Sequence, residues 1–165
     1  MSQVHTAFYT QAHRIEGELM VTERLSDKLN DPLTDYIELR HARIVSLLQN
    51  HEGPGVVWPV ATLTKSTILM ATLDVQEHES RQTRIDKVQS KKGSQVGAIV
   101  GSIEVYGTGH LQFNGAPTHV LSSQLQQYFP VTNATILLSQ REGDNRITTG
   151  LALLNRDMVR AFTLS

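Results

Sequence analysis

Ser2, Gln3 and Val4 return in the same order as Ser94, Gln95 and Val96, 92 positions further on. Internal self-similarity restricts a chain more than composition does, because whatever unit is repeated has to fold twice. The same spacing, without a gap, pairs Gly17 with Gly109, Leu19 with Leu111, Leu29 with Leu121, Leu33 with Leu125, Tyr36 with Tyr128, Ala42 with Ala134 and Ile44 with Ile136. Average residue usage gives about 6% chance identity, or about three matches in such a stretch; residues 2–46 show ten. Past a loop the spacing becomes 91, matching Ala61, Leu63, Thr72 and Leu73 with Ala152, Leu154, Thr163 and Leu164.

The 165 residues therefore divide into a first unit at 1–75, a polar linker at 76–93 and a second unit at 94–165. The net charge of -1 gives no overall case for nucleic acid or an acidic membrane as a partner. Its parts differ. The first unit is acidic and the second neutral, while the linker carries Arg81, Arg84, Lys87, Lys91 and Lys92. These five are candidate contacts for phosphates or for an acidic partner surface. The linker is read as flexible, with a span of about 25 Å; a short helix through Ile85 and Val88 is the competing reading.

Within the first unit Ile15, Gly17, Leu19 and Val21 alternate with polar neighbours, the period of a half-buried strand. Gly107, Gly109, Leu111 and Phe113 supply the counterpart, with strands at Val4–Tyr9 and Val96–Val105 preceding them. Leu25, Leu29 and Leu33 at four-residue spacing predict a helical turn capped by Ser26 or Asp27, and Thr118 is the corresponding cap ahead of Leu121 and Leu125. Ile37 and Leu39 lie in one phase and Ala42 and Ile44 in the other, which places a bulge near Arg40–His41; Thr132–Asn133 repeats the slip. Strands near Val57–Leu63 and Thr67–Leu73 complete the unit. The expectation is a mainly β protein: two tandem copies of a small five-stranded barrel of SH3-like or Sm-like type, each with one short helix.

The runs FYTQAHRIEGELMV, RLSDKLND, YIELRHARIV and LTKSTILMATL resemble an uncharacterised family of small bacterial β-rich domains. Arg14, Ile15, Gly17, Arg24, Leu25, Ser26, Asp27, Leu29 and Asn30 carry the likeness. The second unit keeps Gly109, Leu121 and the closing LLNRDMVRAF but lacks the polar signature. What the resemblance implies is a fold unit, with no activity attached to it.

With no cysteine there is no disulfide, thiolate ligand or thiol nucleophile, which suits a reducing compartment. His5, His13, His41, His51, His78, His110 and His119 make no metal-binding spacing, and only His110 is placed as a surface ligand. There is no nucleophile elbow and no phosphate loop, and Gly53-Pro54-Gly55 and Gly107-Thr108-Gly109 read as a turn and a bent strand. The acidic cluster Glu16, Glu18, Glu23, Asp27, Asp31, Asp35 and Glu38 reads as solvated surface. No catalytic, cofactor-binding or metal-binding residue is assigned.

No apolar run approaches the ~20 residues of a spanning helix, and the N-terminal segment lacks a signal-peptide core, so a cytoplasmic protein without a membrane span is expected. The function expected is that of a non-enzymatic interaction or scaffold protein, partnered by further copies of itself or by another protein. The alternative is a regulatory module binding RNA or a small molecule at an Sm-like surface or between the units. A third, enzymatic, reading would need Arg14, Arg24, Asp27 and His41 to converge between the units. A unit of this size buries only about 60% of its unfolded surface. Residues 94–165 alone are therefore expected to melt below the full chain in calorimetry, and equal midpoints would count against this reading.

Overall fold

The computed structural model describes residues 2–48, 53–74, 93–110, 116–138 and 146–165. The strands are β1 (Ser2–Tyr9), β2 (His13–Val21), β3 (Tyr36–Ser46), β4 (Val56–Thr64), β5 (Met70–Leu73), β6 (Ser94–Val100), β7 (Ile103–Gly109), β8 (Tyr128–Leu138), β9 (Arg146–Asn155) and β10 (Val159–Leu164). Helix α1 (Leu25–Asn30) follows β2, and α2 (Pro117–His119) runs on as a π turn over Val120–Gln124 before β8. Single 3-10 turns at Lys65–Thr67 and Arg156–Met158 precede β5 and β10.

The protein is mainly β, but the expected pair of separate barrels is not what forms. Among the described residues ten strands lie in one antiparallel sheet, in the order β10-β6-β7-β8-β9-β5-β1-β2-β3-β4, which is not closed into a barrel. The reason is the pairing of β5 with β9, from Met70↔Leu154 to Leu73↔Leu151. A strand whose outer edge is already hydrogen-bonded to the other half has no edge left with which to close its own barrel.

Side chains alternate across a strand, so the joined strands feed a core on each face of the sheet. Ala71, Leu73, Leu151 and Leu153 join Val4, Phe8, Leu19, Leu25, Leu29, Ile37 and Leu39 on one face. Met70, Ala152 and Leu154 join Ala7, Tyr9, Val96, Val105, Phe129 and Ile136 on the other. This explains the unbroken run Leu151-Ala152-Leu153-Leu154, which shows no alternation because both faces are buried.

The phase slip in the third strand is a bulge. In β2·β3 the register shifts between Glu16 and Glu18, opposite Arg43 and Arg40; in β7·β8 it shifts between Tyr106 and Thr108, opposite Thr135 and Thr132. His41 and Asn133 sit there with φ of 50° and 47°, a left-handed conformation that Asn and His tolerate better than most residues. Gly17 and Gly107 face these bulges so closely that a Cβ would lie 2.8 Å from Arg40 O and 2.7 Å from Thr132 O.

By register, then, the residue corresponding to Gly17 is Gly107 and not Gly109. The spacing of 92 holds for β3 against β8, but β1 and β2 correspond to β6 and β7 at a spacing of 90, as Ala7↔Thr72 and Gly97↔Thr163 also require. A two-residue slip leaves inside and outside unchanged, so alternation could not reveal it. Nor is Val96–Val105 one strand: the chain turns at Gly101, φ 60°, and Ser102 to form the β6–β7 hairpin, and Leu111 and Phe113, expected in the strand after it, lie outside the described residues.

The helices also differ from expectation. Leu33 is 90% exposed, because α1 ends at Asn30 and carries Leu25, Ser26 and Leu29 inward. Neither Ser26 nor Asp27 caps α1, whose N-cap position is Arg24, and Thr118 lies inside α2 behind Ala116. Linker residues 76–92 fall outside the described residues.

Gly17→Ala and Gly107→Ala should each cost about 1–3 kcal/mol, since the new methyl meets backbone that cannot yield. Gly53, with nothing within 4 Å, should tolerate alanine to within about 0.5 kcal/mol. Denaturant midpoints of the three variants check this.

Candidate functional site

Arg81, Arg84, Lys87, Lys91 and Lys92 lie outside the described residues. Arg14, Arg24, Asp27 and His41 do not make a common site. Arg14 Nη2 is 2.7 Å from Glu16 Oε2, and Arg43 Nη1 reaches the other oxygen of that carboxylate at 3.3 Å. His41 Nδ1 lies 2.9 Å from Glu18 Oε2, Arg24 stands at the start of α1, and Asp27 lies in its first turn. Of the acidic cluster, Glu16 and Glu18 thus face neighbouring basic side chains. His110 Nε2 is 2.6 Å from Thr132 Oγ1. Among the described residues no three His, Asp or Glu side chains gather to hold a metal ion.

A cavity of about 190 Å³ opens between the halves, lined by His5, Tyr9, Arg14 and Glu16 from one and Thr148 and Thr149 from the other. It brings Arg14 to the inter-half boundary but none of Arg24, Asp27 or His41. Since Glu16 already faces Arg14, the cavity offers an anion no unmatched charge.

The junction itself is tied by buried polar groups as well as by β5 and β9. Asn30 donates from Nδ2 to Tyr128 O at 2.9 Å and accepts from Tyr128 N at 2.8 Å, acting as one more rung of strand. The Tyr128 hydroxyl donates to Lys65 O, and burial pushes its pKa above the usual phenol range. Asn155 donates from Nδ2 to Ile68 O, and its backbone N–H donates to Leu69 O, both at 2.9 Å. Each 3-10 turn also ties down the end of its helical segment: Lys65 Nζ donates to Asp31 O at 3.0 Å and Arg156 Nη1 to Leu125 O at 2.7 Å. Burial lowers the Lys65 pKa, and the nearby Asp31 opposes that shift.

What the sequence reading missed is at the two ends of the sheet. β4, the outer strand at one end, presents Val56, Val57, Trp58 and Val60 to solvent, Trp58 being 51% and Val60 50% exposed. The strand contains no charged residue, although exposed edges are normally blunted by charge. Tyr36, on the neighbouring β3, is 59% exposed. At the opposite end β10 borders a shallow apolar groove of about 190 Å³ lined by Gly97, Ile99, Tyr106, Ala161, Phe162 and Thr163. The available signal was the run Val56-Val57-Trp58-Pro59-Val60, which has the composition of a buried strand and no partner to cover it.

No protein-family model, curated protein or solved structure matches the chain.

Removing the junction's polar ties should destabilise the whole molecule. Tyr128→Phe removes one of the two donors to Lys65 O, Ile68 N–H remaining, and is expected to cost about 1 kcal/mol. Asn30→Ala orphans both backbone groups of Tyr128 and should cost about 2–3 kcal/mol, read from urea unfolding followed by circular dichroism.

Proposed function

We propose that the chain is a tandem duplication of one β module and serves as a non-catalytic scaffold that assembles through homotypic contacts. The observation that carries this reading is the outer strand β4, which leaves Val56, Val57, Trp58 and Val60 exposed in an uncharged row. Contiguous exposed apolar surface on a folded chain marks an interaction site, and an open strand edge adds backbone donors and acceptors that a further strand can satisfy. Between the halves, by contrast, the Glu16 carboxylate is already engaged by Arg14 and Arg43. Among the described residues, no helix is long and apolar enough to cross a membrane.

Trp58 is the single tryptophan of the chain, so its fluorescence reports directly on this edge. Multi-angle light scattering is expected to show multimers at micromolar concentration, with Trp58 emission moving to shorter wavelength as they form. A strictly monomeric species at high concentration, its emission unchanged, would sink the proposal.

A further inference from the structure

The molecule contains, inside itself, a worked example of how its two free edges fit together. At the junction the fourth strand of the second half, β9, pairs with the fifth strand of the first, β5. Among the described residues, the strands whose outer edges carry no partner strand are the complementary two: β4, the fourth strand of the first half, and β10, the fifth of the second.

Residue correspondences follow from register. β3·β4 pairs Tyr36 with Thr64, and β8·β9 pairs Tyr128 with Asn155, so Val60 stands where Leu151 stands in the other half. Likewise β1·β5 pairs Tyr9 with Met70 and β6·β10 pairs Ile99 with Ala161. Three of the exposed apolar residues are counterparts of residues that the junction covers. Tyr128, Leu151 and Tyr9 are buried at the junction, and their counterparts Tyr36, Val60 and Ile99 are 59%, 50% and 39% exposed. The groove beside β10 is equivalent to the face of Ala7, Tyr9 and Met70, which the second half covers within its own core.

We infer that β4 of one chain pairs antiparallel with β10 of the next in the register of the internal junction, placing Val60 opposite Leu164, Thr62 opposite Phe162 and Leu63 opposite Ala161. This rests on the homotypic reading above and specifies its geometry. The four pairs of the β5·β9 junction end at Leu151, and the next residue toward the start of β9, Gly150, already approaches Asp74 O closely. Its counterpart in β4 is Pro59, which cannot donate to a ladder. Pro59 therefore stops the added pairing at the length seen inside the chain. Because the two edges differ, the contact is head-to-tail, and its repetition yields a closed ring or an open fibre according to the rotation per step.

The chain has no cysteine, so engineered thiols report without background. Directly opposed residues bring their Cβ atoms to within about 5.5 Å, whereas diagonal ones lie farther apart. Chains carrying V60C mixed with chains carrying L164C are expected to give a disulfide-linked dimer on mild oxidation, and the V60C/L164C double variant a covalent ladder or ring. Either single variant alone should give none. The pair T62C and F162C repeats the test at a second rung, and circular dichroism confirms that each variant is folded. V60K is expected to convert the assembly to monomers while keeping the circular dichroism spectrum. Multimers by light scattering that cross-link through V60C alone, or not at all in the mixed samples, would overturn the head-to-tail register and leave the scaffold reading standing. A strictly monomeric parent chain would overturn both.

Discussion

The rest of the molecule depends on the four-residue pairing of β5 with β9. A β-strand has two edges and two faces, and at this point all four are used. The edges bind β1 and β8 on the outside and each other in the middle, while the faces supply two cores on opposite sides of the sheet. Neither half holds a complete core of its own in consequence. Tyr128, Leu151 and Leu153 complete the first half's core, and Tyr9, Leu69 and Met70 complete the second's. Residues held jointly in this way resist separation of the halves more effectively than a surface contact between two finished domains, since pulling them apart exposes both cores together.

Burying a strand junction also demands that polar groups be accounted for, because each unpaired donor or acceptor there costs about 1–3 kcal/mol. The side chains that meet this demand come from the ends of elements, where backbone groups run out of partners. Asn30 at the end of α1 takes both backbone groups of Tyr128, and Asn155 at the end of β9 reaches Ile68 O. Lys65 and Arg156 do the same service for the carbonyls that follow the two helical segments. An apolar side chain at any of these positions would leave those backbone groups without the partner they now have.

At the outer edges the same surfaces lack this completion. β4 offers valine and tryptophan where β9 offers buried leucine, and β10 borders an open groove where β5 meets a core. The proposed head-to-tail contact accounts for both with one interaction already present in the chain. Pro59 fits the same account, limiting the pairing in place of the charges that guard most exposed edges.

Much of the strand pattern was legible in the residues themselves. Ile15, Gly17, Leu19 and Val21 point inward as their alternation indicates, and the bulges at His41 and Asn133 follow from a change of phase. These are local consequences of a period of two, set by backbone geometry wherever one face is apolar. The alignment of Ser2 with Ser94 was misleading because a slip of two residues preserves that period, and only hydrogen-bond register distinguishes Gly107 from Gly109 as the partner of the bulge. Leu33 looked like a core residue because four-residue spacing says nothing about where a helix stops. Whether the fifth strand would close its own half or join the other was not written in any local pattern. Both outcomes satisfy the same alternation, and the choice rests on Met70, Ala71 and Leu151–Leu154 being buried on both faces at once, a condition that exists only when distant segments meet.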